Sequence, residues 1–351
     1  MLRKILIFFP AFISFIYVSA QDSSSKGTLT INGSMDAYYR YNFLNAKDSG
    51  RTNNYTSFTN SQNSFELGMA SFKADYAIGK VDGVIDLGFG RRAQEFSYND
   101  EGAMAAIKQA YVSFAASDKV KFTMGKWATH VGYELLDAYL NRNYSMDYMF
   151  SYGPFFHTGL KMDVTASKNF AFMVGVANPN DMTTASFSKK FFLGQVHFTT
   201  TNAKVNAYVN YVGGKDMTES VTNQVDAVVT GTISSKFSVG YNGTVKLVKP
   251  ESKSSSDSWW GSAVYLNFDP SSVFGLTARG EYFNDEKGVA GFYNKIFDFT
   301  LSGNIHIGNL TIIPEFRVDS GEEPLFFKNE DGDFPSAKSS GSFILAATYH
   351  F

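Results

Sequence analysis

Apolar and polar residues alternate with a period of two along most of the chain. Over 30–43, Ile31, Met35, Ala37, Tyr39, Tyr41 and Phe43 fall on one side, and Asn32, Asp36, Arg40 and Asn42 on the other. Val81, Ile85, Leu87 and Phe89 oppose Asp82, Asp86 and Arg92. Farther on, Val225, Ala227, Val229 and Ile233 alternate with Gln224, Asp226, Thr230 and Thr232. Phe237, Val239, Tyr241, Val245 and Leu247 then oppose Lys236, Ser238, Asn242, Thr244 and Lys246. A helix would scatter these residues around its circumference, whereas an extended strand separates them cleanly.

The connections carry a second regularity. Short turns at 79–80, 117–119, 167–168, 201–202, 234–235, 269–272 and 308–309 take turns with longer polar segments. The long segments lie near 45–63, 94–104, 129–154, 178–188, 213–222, 249–257, 284–295 and 320–338. Tight turns on one rim and long loops on the other characterise a barrel that spans the outer membrane, with the tight turns periplasmic. Closure follows because open sheet edges cannot be left in lipid. The pattern therefore predicts an all-β fold, a closed antiparallel transmembrane β-barrel of about sixteen strands around an aqueous channel. Fourteen and eighteen are the adjacent counts, because aromatics occupy both faces of the second, eighth and twelfth segments.

Composition agrees with this architecture. The chain holds 34 Phe and 20 Tyr in 351 residues, yet beyond its first twenty residues it has no apolar run long enough for a helical span. A lipid-exposed strand needs only alternate residues apolar, and its rims favour aromatics. Arg3 and Lys4, the apolar stretch Ile5 to Val18 and the small residues Val18-Ser19-Ala20 form a secretory pattern. Residues 1–20 are thus expected to be a signal peptide, and 21–351 a single barrel domain. Removing Arg3 and Lys4 from 31 basic residues, against 33 acidic ones, leaves a formal charge near −4. That charge argues against nucleic acid as a partner. Cysteine is absent, which excludes disulfides and thiolate metal sites.

The last segment alternates Phe343, Leu345, Ala347, Tyr349 and Phe351, an aromatic-ended pattern like the one read by the outer-membrane barrel assembly machinery. The expected partners are that machinery during biogenesis, and outer-membrane lipid and lipopolysaccharide afterwards. A homo-oligomer is open, since lipid-facing and subunit-facing strands share one apolar signature.

Charged residues on the polar faces belong inside, because Arg or Lys facing mid-depth lipid costs roughly 2–4 kcal/mol. The pore-lining or constriction candidates are Asp36, Arg40, Asp82, Asp86, Arg92, Tyr111, Trp127, Glu134, Asp137, Arg142, Lys161, Asp163, Arg279, Glu281, Glu315 and Arg317, with Glu66 and Lys121 beside them. Opposed acidic and basic groups would favour polar over apolar solutes. The competing reading is that they pair across the wall and stiffen it. The segment 129–154 is the longest connection and has an apolar middle, Glu134 to Leu140, with a helical look. It is the expected inward-folded constriction, with Leu135, Leu136, Tyr139 and Leu140 packed on the wall and Glu134, Asp137 and Arg142 facing the channel. An external cap or an oligomer contact is the alternative.

Catalytic and cofactor chemistry find little support. His130, His157, His197, His306 and His350 are isolated, with no close pair at metal-ligand spacing, and no serine sits in a nucleophile motif. The reading is a non-enzyme with no cofactor and no metal site. The acidic loop Glu322 to Asp333 is expected to be a solvated surface.

Three stretches resemble the putative β-barrel porin-2 family, the OmpL-like group found widely among Bacteroidetes and related bacteria. The first runs from Ile31 through Gly33, Asp36, Tyr38, Tyr39 and Arg40 to Phe43. The second comprises Ile107 to Val112, Gly125-Lys126 and Gly132-Tyr133-Glu134; the third comprises Asn143-Tyr144-Ser145, Phe150 and Pro154 to Gly159. The chain departs from the family at Asn178-Pro179-Asn180-Asp181, where members tend to show Asn-Gly-Trp. The resemblance implies an integral outer-membrane porin and supports a functional role for 132–145. The expected function is passive diffusion of small hydrophilic solutes or ions. The alternative is a substrate-selective channel, or a non-conducting barrel partner in a transport or secretion complex.

Overall fold

The structure, a computed structural model, describes residues 26–46, 51–329 and 332–351. The expected signal segment 1–20 and part of the acidic loop, 330–331, lie outside the described residues. Sixteen strands follow one another in the chain. They are β1 (Thr28–Asn42), β2 (Ser64–Ile78), β3 (Val81–Phe89), β4 (Ile107–Ser117), β5 (Val120–Ala128), β6 (Phe156–Thr165), β7 (Phe170–Ala177) and β8 (Phe191–Thr199). The second half comprises β9 (Val205–Lys215), β10 (Val221–Thr232), β11 (Phe237–Lys249), β12 (Asp257–Phe268), β13 (Phe274–Asn284), β14 (Lys295–Ile307), β15 (Leu310–Gly321) and β16 (Ser339–His350). Each pairs antiparallel with its neighbours in sequence, and β1 closes on β16 from Ser34 opposite His350 to Asn42 opposite Ser342. Strands β2, β8 and β12, the ones with mixed faces, are all present.

The pleat sorts side chains as the period-two pattern demands. On β12, Val264, Leu266 and Phe268 are exposed on the outer face, whereas Ala263, Tyr265 and Asn267 are buried inside. Trp259 also points inward and is buried, while its neighbour Trp260 faces out and packs against Tyr282 at 5.3 Å. The adjacent tryptophans thus divide between lumen and membrane rim, where amphipathic rings are favoured.

Two local departures from strict alternation shape the interior. The pattern extending to Arg92 breaks after Phe89. Gly90 adopts φ +120°, and a Cβ there would lie 2.6 Å from the Gly68 carbonyl oxygen, so only glycine fits. The chain turns there into a short helix, α1 (Arg91–Phe96), and Arg92 sits on that helix instead of a strand. The second departure is a β-bulge between β3 and β4: Asp86 pairs with Gln109 and Leu87 with Ile107, leaving Lys108 unpaired and free to turn inward. The connection expected over 213–222 is shorter than its polar composition suggested, because β9 runs to Lys215 and β10 begins at Val221.

The barrel interior is filled at its centre. Residues 129–155 enter from the long-loop rim, and Leu136, Met146, Phe150 and Phe155 of that segment pack with Phe58, Met69 and Phe96 in one buried cluster. A second helix, α2 (Tyr148–Ser151), lies within this segment.

Candidate functional site: the inward segment and the space it leaves

The inward segment crosses, descends and climbs. At the crossing, Gly132 N donates to Asp226 Oδ1 at 3.1 Å and Tyr133 N to Asn242 Oδ1 at 3.3 Å, which ties it to β10 and β11. Its lowest part reaches the short-turn rim. There Tyr139 stacks on His350 with centroids 4.8 Å apart, and Arg142 grips Asp269, in the turn between β12 and β13, at 2.5 Å. The segment 129–154 runs inside the wall, with Leu136 buried there, but Glu134, Leu135 and Leu140 depart from the expectation. Glu134 is only 4% exposed, whereas Leu135 and Leu140 are 45% and 51% exposed. The expected helix over Glu134 to Leu140 shrinks to a single 3-10 turn, Ala138–Leu140. The physical reason is that Asn141 takes Leu135 N and O and Arg92 takes Leu136 O in place of helical bonds.

That wall is a set of charged strand residues aimed at peptide groups. Glu315 accepts from Tyr144 N at 2.7 Å and Ser145 N at 3.0 Å. Glu281 accepts from Tyr148 N at 2.8 Å and Met149 N at 2.9 Å. With Asp147 capping Phe150 N at 2.6 Å, the first N–H groups of α2 all have anionic partners. Arg279 donates to Ser145 O at 2.7 Å and Glu134 at 2.6 Å, and Arg317 to Met146 O at 2.6 Å. Asp298 links the two guanidiniums, 3.1 Å from Arg279 and 2.8 Å from Arg317, and Asp319 holds Arg317 at 2.7 Å. All of these wall side chains are buried. Charges at such depth persist only when paired and hydrogen-bonded, and the rigid guanidinium fork is suited to several acceptors at once.

The remaining candidates divide by position. Asp36 accepts from Tyr144 Oη at 2.5 Å and lies 3.8 Å from Arg92, which also donates to Leu136 O. Arg40 donates to the carbonyls of Thr52, Asn53 and Ser61, holding another long loop inward. Asp86 and Asp137 share Lys108, at 3.1 and 2.6 Å. Tyr111 and Trp127 pack with Val131, Leu193 and Val212 in an apolar cluster on the wall. Lys161 and Asp163 form a partly exposed pair at 3.2 Å, and Asp82 is partly exposed on the inner face of β3.

Several residues of this network escaped the sequence reading. Lys108 was hidden by the bulge, which no alternation pattern reveals. Asp298 and Asp319 occupy the polar phase of their strands and were legible in principle. Asp147 and Asp181 lie in loops, where acidic residues are common and carry no positional signal.

Space remains along β8 to β11, opposite the clamped side. An outer cavity of about 830 Å³ opens between the long loops, and an inner one of about 370 Å³ is lined by His130, Gln195, Tyr208, Asn210 and Thr230. Among the described residues, Phe155 alone lines both. Its backbone is fixed by Asp181, whose carboxylate accepts from Phe155 N at 2.6 Å and Phe156 N at 3.0 Å. Burial pushes the Asp181 carboxyl up to about 6.

The fold is shared with solved outer-membrane channels at low identity. The channel DcaP of Acinetobacter baumannii superposes with a TM-score of 0.62 at 10% identity, covering 94% of this chain and 99% of that one. An anion-selective porin from Comamonas acidovorans gives 0.61 at 9%, covering 93% and 100%. A trimer form of OmpT from Vibrio cholerae gives 0.60 at 11%, covering 93% and 99%. No curated protein sequence matches the chain. The model of the family described as putative beta-barrel porin-2, OmpL-like, matches residues 28–351, the whole of the barrel, and the chain belongs to that family of integral outer-membrane porins.

Proposed function

We propose that this porin passes small hydrophilic solutes and ions by passive diffusion along its β8–β11 wall, through two chambers separated at Phe155. The observation that carries this reading is the one-sided filling of the lumen. The clamp on β13 to β15 fixes 143–150 against one wall, and the two cavities, meeting at Phe155, lie on the other. The lumenal candidates Arg40, Arg92, Arg279, Glu281, Glu315 and Arg317 act in this scheme by holding the inward loops, while Asp82, Lys161 and Asp163 touch solute nearer the inner mouth. A channel this filled is narrow and selective by size. No part of it needs catalysis or a cofactor.

Single-channel conductance in a planar bilayer tests this. The wild-type protein gives small stepwise currents, and Phe155→Ala gives larger ones. Unchanged steps from correctly folded Phe155→Ala would place the passage elsewhere. A homotrimer, surrounded by lipid and lipopolysaccharide and delivered by the barrel assembly machinery, is the assembly we propose, by likeness to the trimeric OmpT form. Mass measurement of the detergent-extracted protein decides it.

A further inference from the structure

Positive charge is concentrated at the periplasmic rim. Five consecutive hairpin turns, from β2–β3 to β10–β11, each carry one exposed lysine: Lys80, Lys119, Lys168, Lys204 and Lys236. The seven short turns hold only two carboxylates, Asp118 and Asp269. Arg142 neutralises Asp269, which leaves Asp118 alone against the five ammonium groups. Among the described residues none of these lysines has an ion-pair partner.

Four of them occupy the same position, the last residue before the returning strand, and their carbonyls are fixed alike. Lys80 O accepts from Ala115 N, Lys119 O from Thr165 N, Lys204 O from Thr232 N and Lys236 O from Asp269 N, each at 2.8 Å. Every bond comes from the neighbouring hairpin, so the four lysines are set at one level with their ammoniums unclaimed. Neighbouring turns are two strands apart, roughly 10 Å, which is about the Debye length at 0.1 M salt. Their fields therefore merge into one positive arc.

The arc lies under the open side of the lumen. It spans β2 to β11, and the turns beneath the clamp, 269–273 and 308–309, carry no lysine. Along β10, Thr230 lines the inner chamber. Thr232, the next position on that face, lines an open crevice of about 520 Å³ with Thr200, Thr201, Asn202 and Lys204. Lys204 thus stands where the β8–β11 wall meets the periplasm. Elsewhere on the route charge is nearly compensated. Lys161 pairs with Asp163, Lys73 pairs with Asp75, and Asp82 is offset by Lys121. The inner chamber's Glu134 is held by Arg279, and burial keeps His130 neutral. In the outer cavity Glu95 pairs with Arg91 and Lys246 offsets one of Asp181 and Asp216, which leaves a single net negative charge.

We propose that this rim is an anion-gathering mouth, and that the porin passes small anions in preference to cations of the same size. The inference rests on the channel proposed above and assigns its solute class. The positive arc raises the local concentration of anions at the exit of the route and lowers that of cations. Lys204 and Lys236, at the foot of the β8–β11 wall, are the residues that determine this preference. The hydroxyls of Thr201 and Thr232 beside Lys204 can donate to an anion.

The test is the zero-current potential of the purified barrel in a planar bilayer across a KCl gradient. At about 0.1 M salt a Cl⁻/K⁺ permeability ratio of about three to five is expected, falling toward one at about 1 M, where screening is nearly complete. Lys204→Gln combined with Lys236→Gln should lower the low-salt ratio about twofold, and glutamate at both positions should invert the preference. Lys253→Gln, on the opposite rim, should leave it unchanged. Stepwise currents with a ratio of one or less, or a ratio that the glutamine pair does not move, overturn the proposal and leave the channel standing. If the same folded pair instead loses a preference for phosphatidylglycerol vesicles, the arc serves lipid headgroups and the proposal fails. No conductance from folded barrel refutes the channel, and the solute class falls with it.

Discussion

Replacing Arg279 by methionine removes the cation at the centre of the clamp while keeping most of its volume. Arg279 meets Glu134 at 2.6 Å, Asp298 at 3.1 Å and Ser145 O at 2.7 Å. Asp298 retains Arg317 at 2.8 Å, so the group left without a cation is Glu134, which keeps Asp147 N at 2.8 Å and Tyr265 Oη at 3.2 Å. Breaking one partner out of a buried pair costs about 3–5 kcal/mol. At 1.4 kcal/mol per tenfold, that shifts docking of 129–155 by roughly two to three and a half powers of ten. The cost depends on pH. Burial, with Asp147 close by, already pushes the Glu134 carboxyl up to about 7. A carboxyl raised in the folded state contributes stability that is full below its ordinary value and is lost as pH rises through the raised one. Below about pH 6 Glu134 can take a proton, and the loss falls to the hydrogen bonds that Arg279 itself gives Ser145 O and, at 3.4 Å, Met146 O, about 1–3 kcal/mol in all. Near pH 8 the loss of Arg279 raises this carboxyl further, so proton uptake holds the added cost to about 1.4 kcal/mol. Single-channel recordings of Arg279→Met should therefore show frequent excursions to a large conductance, more at pH 8 than at pH 6. Adding Glu134→Gln should suppress them, the signature of a coupled pair. Current histograms equal to wild type at both pH values, from protein with normal heat-modifiable mobility, would refute the clamp.

Three further predictions concern other levels of the structure. Asp181→Asn should abolish a pH dependence at Phe155: with the carboxyl raised from 3.8 to about 6, the wild-type anchor is tighter at pH 5 than at pH 7, by about 1.3 kcal/mol. Hydrogen exchange of the Phe155 and Phe156 amides checks this, and equal protection at the two pH values contradicts it. On the lipid face, Val264→Arg near the middle of β12 should lower stability in vesicles by about 2–4 kcal/mol, whereas Val264→Leu leaves it within experimental error. Denaturant titration in lipid decides between lipid and lumen for that residue. At the tip, Asp269→Asn breaks a partly exposed ion pair and should change stability by no more than about 1 kcal/mol, far less than Arg279→Met. A larger effect in the same titration would mean that the tip, not the clamp, holds the segment.

The strands and the two rims were legible because lipid imposes a rule on every alternate residue. Val264, Leu266 and Phe268 must be apolar whatever lies inside, and a closed sheet must turn tightly at one end. That rule acts residue by residue, so it is written in local sequence. For 129–154 the sequence signal was the apolar content of a long connection, since Leu136 and Tyr139 have little reason to appear in a solvated loop.

Which face of that segment points where was decided by tertiary structure. Glu134, read as a channel residue, is buried because Arg279, 145 residues away in the chain, supplies its cation. Leu135 and Leu140 stay exposed on a stretch that Asn141 ties back through Leu135 N and O. The inward turn of Lys108 depends on a bulge against β3, and the role of Phe155 on Asp181 from a distant loop. Alternation fixes the side of the sheet on which a charge stands. Its partner is chosen only when the barrel closes, because pairing energies depend on separations in space that no linear spacing encodes.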